Sequence, residues 1–216
     1  MPKKNLFLSS SVNEVAHDIV EHMDLKKGKK LAFIYTAAEV ETDGRLAPWN
    51  DNDRKALVKA GFDVFDYTIT DKTKDQVNKD LSDSDAIYLS GGNTFYLLEK
   101  AQQSGFPSLI REYIEEKGKV YIGTSAGSII AGPDISPTLR LDSVKLAPNL
   151  KDYKGFDLVN FCVMPHWGAD NFKELYLNKR LEHAYKDSQI PLFLLTNTQY
   201  AKVDGDDIQI IDVDRL

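Results

Sequence analysis

The sequence predicts an α/β protein with a mostly parallel sheet, and three observations lead to that class. Short apolar runs rich in β-branched and aromatic residues alternate with amphipathic, charge-bearing stretches. One run, Leu31 to Thr36, is almost wholly apolar, as a strand covered on both faces would be. Glycine-bearing segments at Gly91-Gly92 and from Gly123 to Gly127 each follow such a run and precede a helical stretch.

The elements follow in order. Asn5 to Ser10 reads as the first strand and Val12 to Met23 as a helix, with Ser10 or Ser11 as N-cap and Val12, Val15, Ala16, Ile19 and Val20 on one face. After the strand at Leu31, Asn50 to Ala60 reads as a helix stopped by Gly61. Phe62 to Thr68 and Ala86 to Ser90 are the next strands. Helices are expected over Thr94 to Gln103 and Pro107 to Lys117, stopped by Gly105 and Gly118. Val120 to Gly123 is a strand with a helix after it. Gly132 to Phe156, with three prolines, is an irregular excursion. Leu158 to Met164 then reads as a strand, Asp170 to Lys186 as a long helix and Pro191 to Leu195 as a strand. Tyr200 to Val203 and Ile208 to Val213 flank Asp204-Gly205, the pattern of a hairpin at the sheet edge.

Composition narrows the function classes. The chain has 216 residues, against roughly 150 for a typical domain, and shows no repeat or linker, so one domain spanning 1–216 is expected. Twenty-seven basic against 33 acidic side chains give a net charge of -6, which argues against a nucleic-acid binder. No apolar run reaches the roughly 18 residues of a membrane span. The N-terminus lacks the apolar core and cleavage site of a signal peptide, so a cytoplasmic protein is expected. A single cysteine, Cys162, excludes an intrachain disulfide and a multi-cysteine zinc cluster. It lies inside an apolar strand, as a buried structural thiol would. No metal or cofactor is expected.

The chemistry-bearing signal is Gly123-Thr124-Ser125-Ala126-Gly127, a G-x-S-x-G between an apolar strand and a helix-forming stretch. In that context the serine hydroxyl is exposed on a strained turn, the neighbours must be small, and the amide of Ala126 faces a developing oxyanion. The other reading is a tight βα turn with an N-capping serine. Ser90-Gly91-Gly92-Asn93 ends the preceding strand at the same sheet edge, where Gly92 is the candidate for the second oxyanion donor. Asn93 is either an N-cap for the helix at Thr94 or a substrate-binding residue.

Of the four histidines, His17, His22 and His183 fall in amphipathic helical stretches, whereas His166 stands at the carboxyl end of a strand after Ser125. A histidine there takes the serine proton and returns it to a leaving amine. For the acid that orients it, Asp134, Asp142, Asp152 and Asp157 lie between the two. Asp142 is favoured, because the excursion is long enough to carry it over the site; Asp134 fits a turn cap.

Together Ser90-Gly91-Gly92-Asn93, Gly123 to Ser128 and Val159 to Trp167 resemble, in order and spacing, the serine peptidases typified by peptidase E, the aspartyl dipeptidase, with cyanophycinase as a relative. The resemblance spans most of the chain. It implies a three-layer α/β/α fold like the class I glutamine amidotransferases, with serine in place of their cysteine nucleophile. It also implies Ser125 as nucleophile, His166 as base, the amides of Gly92 and Ala126 as oxyanion hole, and an acid after the nucleophile helix, where Asp142 fits best. A small peptide is the implied substrate, and no oligomeric state follows. The family's aspartyl-selecting arginine lies after the histidine. Here that segment offers Lys173 and Arg180 in a non-matching local sequence, and a solvated helix face is the other reading of both.

Two competing functions stand beside the peptidase. An α/β-hydrolase-type esterase also uses G-x-S-x-G, but 216 residues is short for that fold and no His-Gly-Gly-type loop is present. A noncatalytic ligand-binding module would keep the fold and use the glycine loops to hold an anion.

Overall fold

The computed structural model describes residues 3–23, 29–41, 47–138, 143–187 and 189–215, without the side chains at 179, 180, 187 and 215. β1 (Asn5–Ser9), β2 (Lys30–Ile34), β3 (Asp63–Tyr67), β4 (Ala86–Leu89) and β5 (Val120–Thr124) run parallel in the order β3-β2-β4-β5-β1. β6 (Cys162–Met164) and β7 (Leu192–Leu194) pair parallel with each other outside that sheet. The hairpin of β8 (Gln199–Asp204) and β9 (Asp207–Asp212) joins antiparallel to β1, which completes a seven-stranded, mostly parallel mixed sheet. The chain is thus an α/β protein, as the sequence predicts.

Alternating side chains divide the strands between two cores. Phe7, Leu31, Phe33, Tyr88 and Ile122 pack with α1 (Val12–Glu21) and α2 (Pro48–Lys59) through Val15, Ile19 and Leu57. Leu6, Leu8, Ile34, Ile87, Leu89 and Tyr121 pack on the opposite face with α3 (Lys74–Leu81), α4 (Thr94–Ser104), α5 (Phe106–Arg111) and α6 (Ala126–Ile129). Burial on both faces explains why the central strands read as continuous apolar runs. No helix among the described residues is long and apolar enough to cross a membrane.

Several expectations are corrected. α3 falls where the sequence pattern predicts no element, although Thr73 and Gln76 form a reciprocal capping box and Val77 and Leu81 bury one face. Charged neighbours hide that stripe. Leu158 to Met164 pairs only over Cys162–Met164 and not in the main sheet, because β8 already occupies the free side of β1. The helix expected over Pro107 to Lys117 begins as α5 and ends in a π-helical turn, Glu112–Glu116. The long helix expected from Asp170 is broken into a 3₁₀ turn (Asp170–Phe172), α7 (Lys173–Leu175), a π-helical turn (Tyr176–Arg180) and α8 (Leu181–Asp187). Tyr176 and Ala184 both pack on Met164. Eight residues of regular α-helix would set them about 80° apart, and the residue absorbed by the π turn returns them to one face.

Candidate active site

The carboxyl ends of β1, β4 and β5 meet at one edge of the sheet, where β5 turns sharply into α6. Ser125 occupies that turn with φ 49° and ψ −109°, outside the regions a side-chain-bearing residue prefers and costing about 1–3 kcal/mol. Backbone bonds hold it there. Its N–H donates to the Ser9 carbonyl at 3.0 Å, and its carbonyl accepts the N–H groups of Ser128 and Ile129 at 2.9 Å each. Ser128 Oγ ties the same Ser9 carbonyl at 2.7 Å. The turn needs its small residues, since a Cβ at Gly127 would lie 2.1 Å from the Leu89 carbonyl oxygen.

The β4–α4 turn comes up beside it. Gly92 has φ 133°, and a Cβ there would lie 2.2 Å from the Ala37 oxygen, so only glycine fits. Gly91 rests against the serine, its would-be Cβ 3.3 Å from Ser125 Cβ. Among the described residues, neither the Gly92 nor the Ala126 N–H meets an acceptor. Asn93 caps α4, its Oδ1 accepting Tyr96 N–H at 2.9 Å while Nδ2 donates to the Ser143 carbonyl at 3.2 Å. Its amide is therefore occupied in tying α4 to the excursion, and Asn93 does not border the cavity described below.

His166 arrives from the other side, two residues past β6. Its Nε2 lies 3.1 Å from Ser125 Oγ, and its Nδ1 lies 2.8 Å from Asn197 Oδ1. With Asn197 Oδ1 as acceptor, Nδ1 carries the proton and the Nε2 lone pair faces the serine. Asn197 follows β7, and the β6–β7 pairing continues past both strands through Leu195 N–H to Met164 O (3.1 Å) and Trp167 N–H to Leu195 O (2.9 Å). That continuation brings Asn197 to the histidine. Like Ser125, His166 has positive φ, 63°. Ser10 Oγ accepts its N–H at 3.1 Å and donates to Leu195 O at 2.8 Å. Phe172 stacks on the imidazole, centroids 4.4 Å apart at 16°, and Tyr176 donates its hydroxyl to the Pro165 carbonyl. Of the expected caps, Ser11 takes the N-cap position of α1 without a side-chain bond, and Ser10 serves the histidine instead.

The other sequence candidates are dispersed. Asp142 lies outside the described residues, as does the side chain of Arg180. Asp134 Oδ1 accepts Ser136 N–H at 2.6 Å, the turn role expected of it. Lys173 borders a separate cavity of about 340 Å³ with Trp167, Tyr176 and Leu177. Cys162 is fully buried.

Ser125 and His166 open into a cavity of about 410 Å³. Residues that sequence reasoning did not single out also line it, among them Trp49, Asp53 and Phe172, together with Ser10, expected only as a helix cap. Asp53 is 3% exposed and accepts Tyr88 O–H at 2.7 Å and Asn13 N–H at 3.2 Å. Burial pushes its carboxyl up to about 6, against the lowering effect of those two bonds.

A serine on a strained strand-to-helix turn, bonded to a histidine whose second nitrogen is fixed, on a mostly parallel sheet, is the arrangement of serine-type hydrolases. The chain belongs to peptidase family S51, a family of serine-type peptidases, whose model matches residues 6–211. It is 36% identical to an uncharacterized peptidase of Listeria monocytogenes over 88% of this chain and 90% of that protein. Peptidase E of Streptomyces coelicolor is 27% identical over 94% and 82%. The fold superposes on a crystal structure of a peptidase E-like protein from Listeria monocytogenes with a TM-score of 0.86 and 32% identity, covering 97% of this chain and 98% of the other.

Proposed function

We propose that this peptidase hydrolyses short peptides through an acyl-enzyme on Ser125, with His166 as the base. The observation that carries the reading is the 3.1 Å contact of Ser125 Oγ with His166 Nε2, backed by Asn197 at 2.8 Å on Nδ1. Nε2 takes the hydroxyl proton as Oγ attacks the peptide carbonyl, and the oxyanion is received by the N–H groups of Gly92 and Ala126. His166 then protonates the leaving amine, and water repeats the sequence on the ester. Asn197 fixes the tautomer but supplies no negative charge for the imidazolium. Asp142 remains the candidate for that charge.

The helices on both faces of the sheet support the three-layer α/β/α arrangement of the class I glutamine amidotransferase type, acting as a single catalytic domain over 1–216. The burial of the Cys162 thiol fits the cytoplasmic setting. Preference for an N-terminal aspartyl residue rests on the family resemblance alone. Lys173 faces another cavity, which leaves Arg180 as the candidate reader. A panel of dipeptides with Asp, Glu, Asn and neutral first residues, free and N-blocked, tests the reading. Cleavage by the wild-type protein and none by a folded Ser125→Ala protein is expected. Equal cleavage by both would overturn it, and equal cleavage of neutral and Asp dipeptides would remove the aspartyl preference only.

A further inference from the structure

The described residues of the cavity carry negative and not positive charge. Among its described lining residues the side chains of fixed charge type are Glu41 and Asp53, and none is lysine or arginine. Asp53 is the informative one. It is nine-tenths buried or more, yet the cavity reaches it. Its two oxygens take one hydrogen bond each, from Tyr88 and Asn13, while a carboxylate offers about four acceptor sites. Neither donor is a cation, so the charge is buried without a counter-charge among the described residues, an expensive state that a bound cation would relieve. Trp49, one helical turn earlier on α2 and 42% exposed, borders the same cavity with an indole face suited to a cation. Asn50, on the buried stripe with Asp53 and Leu57, is fully enclosed, and among the described residues neither of its side-chain polar atoms has a partner. Polar capacity is therefore unspent on this stripe.

We propose that Asp53, walled by Trp49, is the receptor for a substrate cation, either the free α-ammonium of the peptide or a basic side chain on its first residue. The inference rests on the hydrolytic reading of the same cavity and adds the charge of what enters it. A peptide with a free N-terminus places an ammonium within a few bonds of the carbonyl that Ser125 attacks. A carboxylate lining the same cavity as Ser125 orients the peptide without touching the reacting atoms. Asp53 also joins α1 to β4 through Asn13 and Tyr88, so the test must separate recognition from architecture.

Calorimetric titration of the Ser125→Ala protein makes that separation and needs no turnover. One arm compares Ala-Ala with N-acetyl-Ala-Ala, and the other compares N-acetyl-Lys-Ala with N-acetyl-norleucyl-Ala. The cationic member of at least one pair is expected to bind about tenfold or more tightly, and Asp53→Asn in that background is expected to bring the ratio to about one. The first arm reports the α-ammonium, the second the side chain. Ratios near one on both arms overturn the inference, as does a ratio that Asp53→Asn leaves unchanged, because an architectural role would weaken both members alike. If circular dichroism shows that Asp53→Asn does not fold, Trp49→Ala, at an exposed position, replaces it and is expected to lower the ratio about threefold or more; an unchanged ratio overturns the proposal. Fluorophosphonate labelling of the wild-type protein keeps the two failures apart. Label on Ser125 without discrimination between the peptides overturns the cation receptor and leaves the nucleophile standing.

Discussion

The two sides of the site are built differently. Ser125 sits on the central sheet, fixed by backbone hydrogen bonds to β1 and by contacts that admit only glycine. His166 sits beyond a two-stranded annex, fixed by side chains: Ser10 on its amide, Asn197 on its ring nitrogen, Phe172 on its ring face and Tyr176 on the preceding carbonyl. Both residues hold positive φ, so both positions carry strain. The serine's is borne by the core of the fold and the histidine's by a handful of individually replaceable contacts. Damage on the serine side should therefore appear as lost stability, and damage on the histidine side as lost alignment in a folded protein.

The largest expected effect comes from the two residues in contact. Ser125→Ala and His166→Ala should each lower turnover on the order of 10⁴ with the fold intact, and the double variant should lose little more, because on the proposed mechanism the two act as one unit. Steady-state kinetics with circular dichroism checks this. Next is Gly127→Ala, which drives a methyl group to 2.1 Å from the Leu89 oxygen. It should cost about 3–5 kcal/mol in denaturant unfolding, at the upper end for single substitutions. Little or no loss would show that the serine side is less tightly boxed than the comparison requires.

The serine side also carries the buried Asp53 charge, with a pH signature. Its folded-state pKa of about 6 lies above the ordinary 3.8, so between those values the folded protein holds the proton that the unfolded chain has released. The resulting stabilisation is complete below about pH 4 and disappears as pH rises through about 6, amounting to about 3 kcal/mol. The stability of wild type relative to Asp53→Asn should rise as pH falls from 7 to 4; a flat difference would place the carboxyl at an ordinary pKa.

On the histidine side, Asn197→Leu should lower turnover about 10–100-fold with KM little changed, by releasing the tautomer. If Asp142 supplies the charge, Asp142→Asn should exceed that loss; if it does not matter, the Ser125, His166 and Asn197 trio suffices. Ser10→Ala should be the mildest, leaving the His166 N–H without its acceptor at a cost of about 1–3 kcal/mol. Turnover should fall more than thermal stability does, which is the sense of the comparison.

The same division explains what could be read from sequence. The serine turn is contiguous, so G-x-S-x-G between an apolar strand and a small-residue stretch carries its own context. His166 was legible from its position at a strand end. Asn197 was not, because an asparagine between two threonines after a short strand reads as turn chemistry, and only the pairing of β7 with β6 brings it to the imidazole. Asp53 reads as the solvated face of α2 until α1 and β4 close over it. The π turn at Tyr176 answers to packing on Met164, a tertiary demand with no local signature.

The central claim is that His166, held by its side-chain neighbours, activates Ser125. Intact-mass and peptide-mapping measurements after exposure to a fluorophosphonate test it most directly. One adduct on Ser125 in the wild-type protein is predicted, with labelling slowed by orders of magnitude in His166→Ala and by a smaller factor in Asn197→Leu. An unlabelled wild-type protein, or equal labelling rates in wild type and His166→Ala, would contradict the account.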